Sequence, residues 1–225
     1  MRDGEELEVS SAIRDLANKR RVFHSEADFQ HALAWEIHLR HPDAKIRLEY
    51  RPPTAGPRVY VDLWVVIGAA AWAIELKYKT RRLEVEDAGE RFTLMNHSAQ
   101  DIGRYDFLRD IVRLELLTAE QPRVRGAAIL LTNDSGYWST ARSAETVDAA
   151  FRLHEGRSLS GHLAWGVGAS AGTMRSREAP IALAAAYRVA WQDYSQLTGN
   201  GGQFRYALIA VECGRPHAQE PPAGN

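Results

Sequence analysis

Two hydrophobic periods alternate along the chain, one typical of helices and one of strands. Helical spacing is clearest where Phe29, Leu33 and Ile37 form an apolar stripe. Polar and apolar residues then alternate at 45–51, with Ile46, Leu48 and Tyr50 on one face. The elements that the sequence predicts are helices at 5–19 and 25–40, strands at 45–51, 59–67 and 70–79, a polar connection at 80–96, a helix at 98–117, a strand at 126–132, and weaker strands at 182–194 and 204–212.

Gly68 predicts how the second and third strands pair. Glycine suits the first central position of a two-residue type II′ hairpin turn, here Gly68-Ala69. With that turn, residues facing each other across the hairpin have numbers that add up to 137. One face is then apolar throughout and is expected to pack on the core. Its pairs are Val61 with Leu76, Leu63 with Ile74, Val65 with Trp72, and Ile67 with Ala70.

The opposite face of the same hairpin carries the candidate chemistry. It places Asp62 directly across from Glu75, with Cβ atoms about 4.5–5.5 Å apart. Two carboxylates at this spacing repel each other unless a cation lies between them, and they suit a hard divalent ion such as Mg²⁺ or Mn²⁺. Lys77 lies two residues beyond Glu75 on this face. We expect its ammonium group to orient an attacking water or to stabilise charge developing on a phosphoryl group.

A third acid, Glu26, lies at the start of the second helix and in the middle of its apolar stripe. An acid on a buried helix face needs a partner, and a metal site would supply one. A simpler explanation stays open, because the helix dipole alone favours Asp and Glu in the first turn.

This order of elements, with Glu26 on a helix, Asp62 on a strand and Glu75-Leu-Lys77 on the next, resembles the PD-(D/E)XK superfamily of restriction-endonuclease-like nucleases. The resemblance covers residues 25–132 and implies an α/β fold with a central mixed sheet flanked by helices. It also implies that Asp62, Glu75, Glu26 and the Leu76 carbonyl bind the metal, while Lys77 assists the nucleophilic water. Val61 stands where the proline that names the motif would be.

The helix at 98–117 offers substrate contacts. Gln100 and Tyr105 resemble the Gln and Tyr element of RecB-like nucleases, with one residue more between them. Gln100 and Arg104, one turn apart, are candidates to contact a phosphate, as is Lys79 beyond the ExK motif. The competing interpretation is an ordinary helix face with intrahelical pairs such as Asp106 with Arg109.

Composition limits the setting in which this chemistry operates. The 225 residues carry a net charge of −1, so nucleic acid would have to bind a local patch such as the basic segment 77–82. The single cysteine, Cys213, and an acidic N-terminus unlike a signal peptide lead us to expect a cytoplasmic protein. No apolar run approaches the length of a membrane span. We expect one domain over residues 1–213 and a disordered tail at 214–225.

Three functions are compatible with these patterns. The first is metal-dependent hydrolysis of a phosphodiester, in DNA rather than RNA, by an endonuclease. The second is a module of the same fold that binds nucleic acid or a partner without cutting. The third, a small-molecule α/β enzyme, lacks support because the chain has neither a Gly-rich phosphate loop nor a nucleophile elbow. We also expect low sequence specificity or work within a homodimer or a larger defence or repair assembly.

Overall fold

The computed structural model describes residues 6–52, 60–141, 143 and 145–212. Cys213 and the tail at 214–225 therefore lie outside the described residues. The elements in chain order are helices α1 (Val9–Lys19) and α2 (Glu26–Arg40), strands β1 (Lys45–Tyr50), β2 (Val61–Ile67), β3 (Ala70–Lys79), β4 (Leu83–Asp87) and β5 (Glu90–Leu94), helix α3 (Gln100–Glu120), strand β6 (Val124–Thr132), a 3₁₀ turn (Ala149–Phe151), strand β7 (Ser158–Leu163), helix α4 (Ala171–Met174), and strands β8 (Ile181–Arg188), β9 (Trp191–Gln196) and β10 (Gln203–Val211).

A six-stranded sheet in the order β1-β2-β3-β6-β10-β9 forms the centre of the molecule. β3 and β6 run parallel, joined through the hairpin β4–β5 and the long helix α3, whereas every other neighbouring pair in the sheet is antiparallel. β6 is apolar and buried almost throughout, as expected for a strand covered on both faces. The predicted α/β class, with a mixed central sheet flanked by helices, is confirmed.

Two apolar clusters cover the two faces of the sheet. One joins α1, α2 and the β4–β5 hairpin to the sheet residues Leu63, Ile74 and Leu76. The other joins α3 and the β7–β8 ribbon to the opposite face, through residues such as Ala73 and Leu130. The sheet is therefore the middle layer of a three-layer domain, with α2 and α3 on opposite sides of the strands that carry the candidate acids.

The hairpin between β2 and β3 forms in the predicted register. Gly68 adopts a φ of 57°, a value that glycine reaches without a steric penalty. Five pairs, from Ile67↔Ala70 to Leu63↔Ile74, obey the predicted sum of 137. The ladder ends at Leu63, however, so the predicted pairs Asp62 with Glu75 and Val61 with Leu76 are not part of it.

The part of the chain that follows β3 contains more strand than predicted. The connection at 80–96 is the β4–β5 hairpin, which buries Leu83, Phe92 and Leu94 against the first cluster. The single strand predicted at 182–194 is divided into β8, which pairs with β7, and β9, which pairs with β10. Within the described residues no helix is long and apolar enough to cross a membrane.

Candidate functional site

Asp62 lies at an interruption in the pairing on both sides of β2. Toward β3, the Leu76 N–H donates to the Asp62 carboxylate at 2.6 Å (N to Oδ2), beyond the end of the backbone ladder. Toward β1, the pairing passes from Leu48↔Leu63 to Tyr50↔Val61 without a Glu49–Asp62 pair. Backbone pairs are therefore missing on both sides of Asp62, and its carboxylate takes the place of a backbone acceptor for Leu76.

A glutamine from α2 holds the backbone of this interrupted region. Gln30 donates through Nε2 to the Asp62 carbonyl at 2.7 Å and to Glu49 Oε1 at 2.9 Å. Glu49 itself has a φ of 48°, a left-handed conformation that is uncommon for a residue other than glycine. Gln30 lies one helical turn after Glu26, so the same face of α2 supplies both residues. Sequence reasoning missed Gln30, although its i+4 spacing from Glu26 was a usable signal.

Next to the interruption, Val61 packs on the other side of the sheet from the one predicted. Strict alternation predicted that Val61 packs with Leu63 and Val65 on a single face. Val61 instead belongs to the cluster on the α3 side, whereas Leu63 and Val65 belong to the cluster on the α2 side. The prediction fails here because regular alternation requires an unbroken extended strand, and the pairing of β2 is broken at Asp62.

Glu75 lies on the α3 side of β3, with only 2% of its surface exposed. Arg113 Nη2 approaches its Oε1 at 2.9 Å, as an ion pair that lacks hydrogen-bond geometry. Arg113 also pairs with Asp110, which lies one turn earlier on α3 and is itself buried. The sequence analysis assigned no site role to Asp110 or Arg113.

Lys77 is held between its own strand and α3. Its Nζ lies 2.6 Å from Asp110 Oδ2 and donates to the Leu76 carbonyl at 3.1 Å. The carbonyl predicted as a metal ligand therefore accepts from Lys77. Burial alone would lower the pKa of Lys77, but Asp110, Glu26 and Asp62 outweigh it and the pKa is raised. The ammonium form of Lys77, a hydrogen-bond donor, is therefore favoured.

Glu26 reaches the same strand from the opposite layer. Its Oε2 accepts from the Tyr78 N–H at 2.7 Å, so α2 is tied to β3 next to Lys77. Ser25 accepts from the Asp28 N–H at 3.2 Å and caps the helix, which leaves the Glu26 carboxylate free for this contact. The helix dipole and a partner on the sheet therefore both favour an acid here.

Six charged groups from β2, β3, α2 and α3 act on one another at this place. The carboxylates are Glu26, Asp62, Glu75 and Asp110, and the cations are Lys77 and Arg113. With all six ionised, the group carries two more negative than positive charges. We call these six residues the acidic cluster.

Two of these acids have raised pKa values, because they are buried and have acidic neighbours. Burial raises the pKa of Glu75 to about 9, with Asp110 adding to the effect and Arg113 opposing it. Burial also raises the pKa of Asp62, against the Leu76 N–H and Lys77. Both groups are desolvated acids that lack enough positive charge nearby, so a further cation would favour their ionised forms.

The donor set suits a hard cation, although the ligands are not already gathered. In the part of the chain that the structure describes, no three His, Cys, Asp or Glu side chains are grouped closely enough to hold a metal ion. The cluster nevertheless offers only oxygen ligands, and Glu75 Oε1 is buried without accepting a hydrogen bond. Once all four carboxylates are ionised, these oxygen donors would carry two negative charges in excess, which matches Mg²⁺ or Mn²⁺ in chemistry.

The substrate contacts predicted on α3 are placed elsewhere. Arg104 is 2% exposed and pairs with the buried Asp148 while donating to the Gly136 carbonyl, so it cannot meet a phosphate in this conformation. The Tyr105 hydroxyl donates to the Ala179 carbonyl at 2.7 Å. These residues anchor the loops that follow β6. The sequence did not predict their burial, because helical spacing alone does not tell which layer a helix face meets.

Two further predicted contacts have different positions. Gln100 donates through Nε2 to Asp134 at the end of β6 and is only partly exposed. Lys79 is partly exposed at the end of β3 and forms no side-chain hydrogen bond or ion pair with any residue that is described. Of the predicted contacts on α3 and β3, Lys79 alone keeps a charge that is open to a ligand.

A polar cleft of about 620 Å³ opens where β3 and β6 end. Arg81 and Arg82 follow β3, and Asn133 and Trp138 follow β6. The Arg81 N–H donates to Asn133 Oδ1 at 2.7 Å, which joins the two walls. The acids of the cluster do not line this cleft, but Lys77 lies on the strand that leads into it. The cleft therefore gathers positive charge and amide groups at the end of the strand that carries Glu75 and Lys77.

Comparison with known proteins adds no assignment: the chain matches no protein-family model, and the searches of curated proteins and of solved structures found no match.

Proposed function

We propose that the chain is a divalent-metal-dependent endonuclease that hydrolyses phosphodiester bonds in DNA, with a restriction-endonuclease-like core. The observation that supports this most is the acidic cluster, where carboxylates from two neighbouring strands and two helices carry a surplus of negative charge. A buried surplus of this sign and size is costly unless a divalent cation offsets it. The open cleft beside the cluster supports an extended anionic substrate.

Asp62 and Glu75 would hold Mg²⁺ or Mn²⁺, with Glu26 and the Leu76 carbonyl completing the ligands. Such a cation supplies Lewis acidity toward a phosphoryl oxygen and acidifies the attacking water. Lys77, kept protonated by Asp110, donates to the charge that develops on the phosphoryl group. Gln30 fixes the Asp62 backbone so that the carboxylate stays in place. Arg81 and Arg82 bind the neighbouring phosphates.

Plasmid cleavage tests this proposal. Purified protein with Mg²⁺ or Mn²⁺ is expected to nick or cut supercoiled DNA, and EDTA is expected to stop it. Asp62→Asn and Lys77→Gln each remove one of the proposed roles and should lower the rate by about 100-fold or more. Asp15→Asn on α1 and Lys45→Gln on β1 are the matched controls and should cut like the wild type. Full activity in the Asp62 and Lys77 variants would refute the assignment.

A second function has one specific observation in its favour. Arg113 already contacts Glu75, and Lys77 already contacts Asp110, so much of the cluster is neutralised from within. Such a site would suit a module of this fold that binds DNA without cutting it. The module would act within a homodimer or a larger defence or repair assembly. DNA binding without cleavage under any divalent metal would favour this alternative.

A further inference from the structure

A second pocket, far along the chain from the acidic cluster, has a strongly basic lining. It measures about 350 Å³ and lies between the segment after β6 and the turn that precedes β7. None of the described residues that line it is acidic. They are Thr140, Ala141, Ser143, Thr146, Ala149, Ala150, Arg152, His154 and Arg157.

The cations of this pocket have too few anionic partners. Arg152 lies 3.0 Å from Asp148, but the same carboxylate also pairs with the buried Arg104. Two guanidinium groups therefore share one negative charge. Arg157 has no side-chain hydrogen bond or ion pair with any described residue, although its backbone is held by hydrogen bonds to His154 and Val189. The pocket thus carries excess positive charge on a fixed backbone.

Three nitrogen atoms in the pocket are buried without an acceptor. They are Arg152 Nε, His154 Nδ1 and Arg157 Nε, three of the six such nitrogen atoms in the described part of the chain. A buried donor that loses water without gaining a partner destabilises the folded state. All three belong to residues that line the same pocket, so the side chains without enough partners are concentrated there.

The pKa of His154 is lowered by its surroundings in the pocket. Burial lowers its pKa, and Arg157 and Arg152 lower it further, so both guanidinium groups act on the same imidazole. The two arginines therefore converge on one place. A neutral imidazole between them can donate a hydrogen bond to an oxygen from one of its ring nitrogens.

We propose that this pocket binds a phosphate group, carried by a free nucleotide or by the end of a nucleic-acid strand. Two guanidinium groups match the oxygens of a phosphate by paired hydrogen bonds, better than an ammonium does. Thr140 and Ser143 add hydroxyl donors at the wall, and Thr146, which accepts from Arg152 at 3.1 Å, keeps its own proton to donate. The alanines leave an apolar wall for the sugar or base that carries the phosphate.

Calorimetric titration in EDTA tests this proposal without any need for cleavage. The probes are inorganic phosphate, deoxyadenosine monophosphate, and a six-nucleotide single strand with and without a 5′-phosphate. Arg157→Met removes one guanidinium while keeping much of the side chain's apolar stem, and His154→Gln removes the imidazole. Arg123→Met, at an exposed arginine before β6, is the matched control. Thermal melting shows that each variant is folded.

The proposal expects the 5′-phosphorylated strand to bind at least tenfold more tightly than the unphosphorylated strand. Arg157→Met should weaken phosphate-dependent binding by tenfold or more, His154→Gln should weaken it less, and Arg123→Met should leave it unchanged. Equal binding of inorganic phosphate, the monophosphate and the strand would identify a free phosphate compound as the ligand, whereas tighter binding of the strand would identify a nucleic-acid end. Equal affinity for both strands without binding of phosphate, or an equal loss in the control, would overturn it.

Discussion

Replacement of Glu75 by glutamine is expected to stabilise the metal-free protein at neutral pH. Glu75 is buried, and its pKa is raised from 4.5 in a solvated chain to about 9 in the fold. Between these values the folded chain keeps a proton that the unfolded chain releases. Stability therefore falls as pH rises through this window, because the folded state binds more protons than the unfolded state. Glutamine has no proton to release, so it removes this penalty.

The size of the effect follows from the same pKa values. At pH 7 the penalty spans the roughly 2.5 pH units above 4.5, and each unit corresponds to about 1.4 kcal/mol, so it amounts to about 3 kcal/mol. At pH 5 it falls below about 1 kcal/mol. Raising the pH should therefore widen the gap in stability between Glu75→Gln and the wild type. The raised pKa of Asp62 makes the free energy of unfolding fall with pH in both proteins, so its effect cancels in the comparison.

Urea unfolding in EDTA at several pH values between 5 and 8 measures this gap. The control is Glu120→Gln, which removes one carboxylate from an exposed position at the end of α3. Adding Mg²⁺ at pH 8 should stabilise the wild type more than Glu75→Gln, because the variant lacks one of the proposed carboxylate ligands. If the gap between Glu75→Gln and the wild type stays constant from pH 5 to pH 8, Glu75 is not the buried, protonated group described above.

Two predictions concern the part of α3 that anchors the loops. Arg104→Met should lower the free energy of unfolding by about 1–3 kcal/mol, because it takes a buried donor from Asp148 and leaves that carboxylate with Arg152 alone. Arg109→Met, at a half-exposed pair, should change it by less than about 1 kcal/mol. Equal losses in urea unfolding would contradict this. Gly103→Ala should cost about 1–3 kcal/mol, since the new Cβ would lie 2.3 Å from the Tyr137 hydroxyl oxygen. Adding Tyr137→Phe should recover part of that loss, and no recovery would refute the steric cause.

Local rules predicted the elements and register that depend on near neighbours in sequence. Gly68 predicted the turn, and the turn predicted five pairs of the β2–β3 ladder. The β4–β5 hairpin obeys similar rules, with Ala88 and Gly89 both at positive φ in its turn. It was nevertheless missed, because charged residues between its buried positions resemble those of a solvated loop. Its stability comes from packing on a distant cluster, which no local window contains.

The candidate site was only partly predictable for the same reason. Asp62, Glu75 and Lys77 come together because one hairpin carries all three. Asp110 and Arg113 join them from α3, and their role depends on which face of α3 meets β3. Asp110 lies beside the buried Ile111 and between Phe107 and Leu114, the same signal that singled out Glu26. The interruption at Asp62 could not be predicted, since it depends on contacts from Gln30.

The ion pairs of the acidic cluster have a consequence for handling the protein. If the proposed metal binds here, Lys77 and Arg113 would remain as counter-ions after its removal, so we expect the chain to fold without a cation, unlike small zinc domains. Chelators should therefore yield an inert but native preparation. Loading with different metals can then begin from one common starting material.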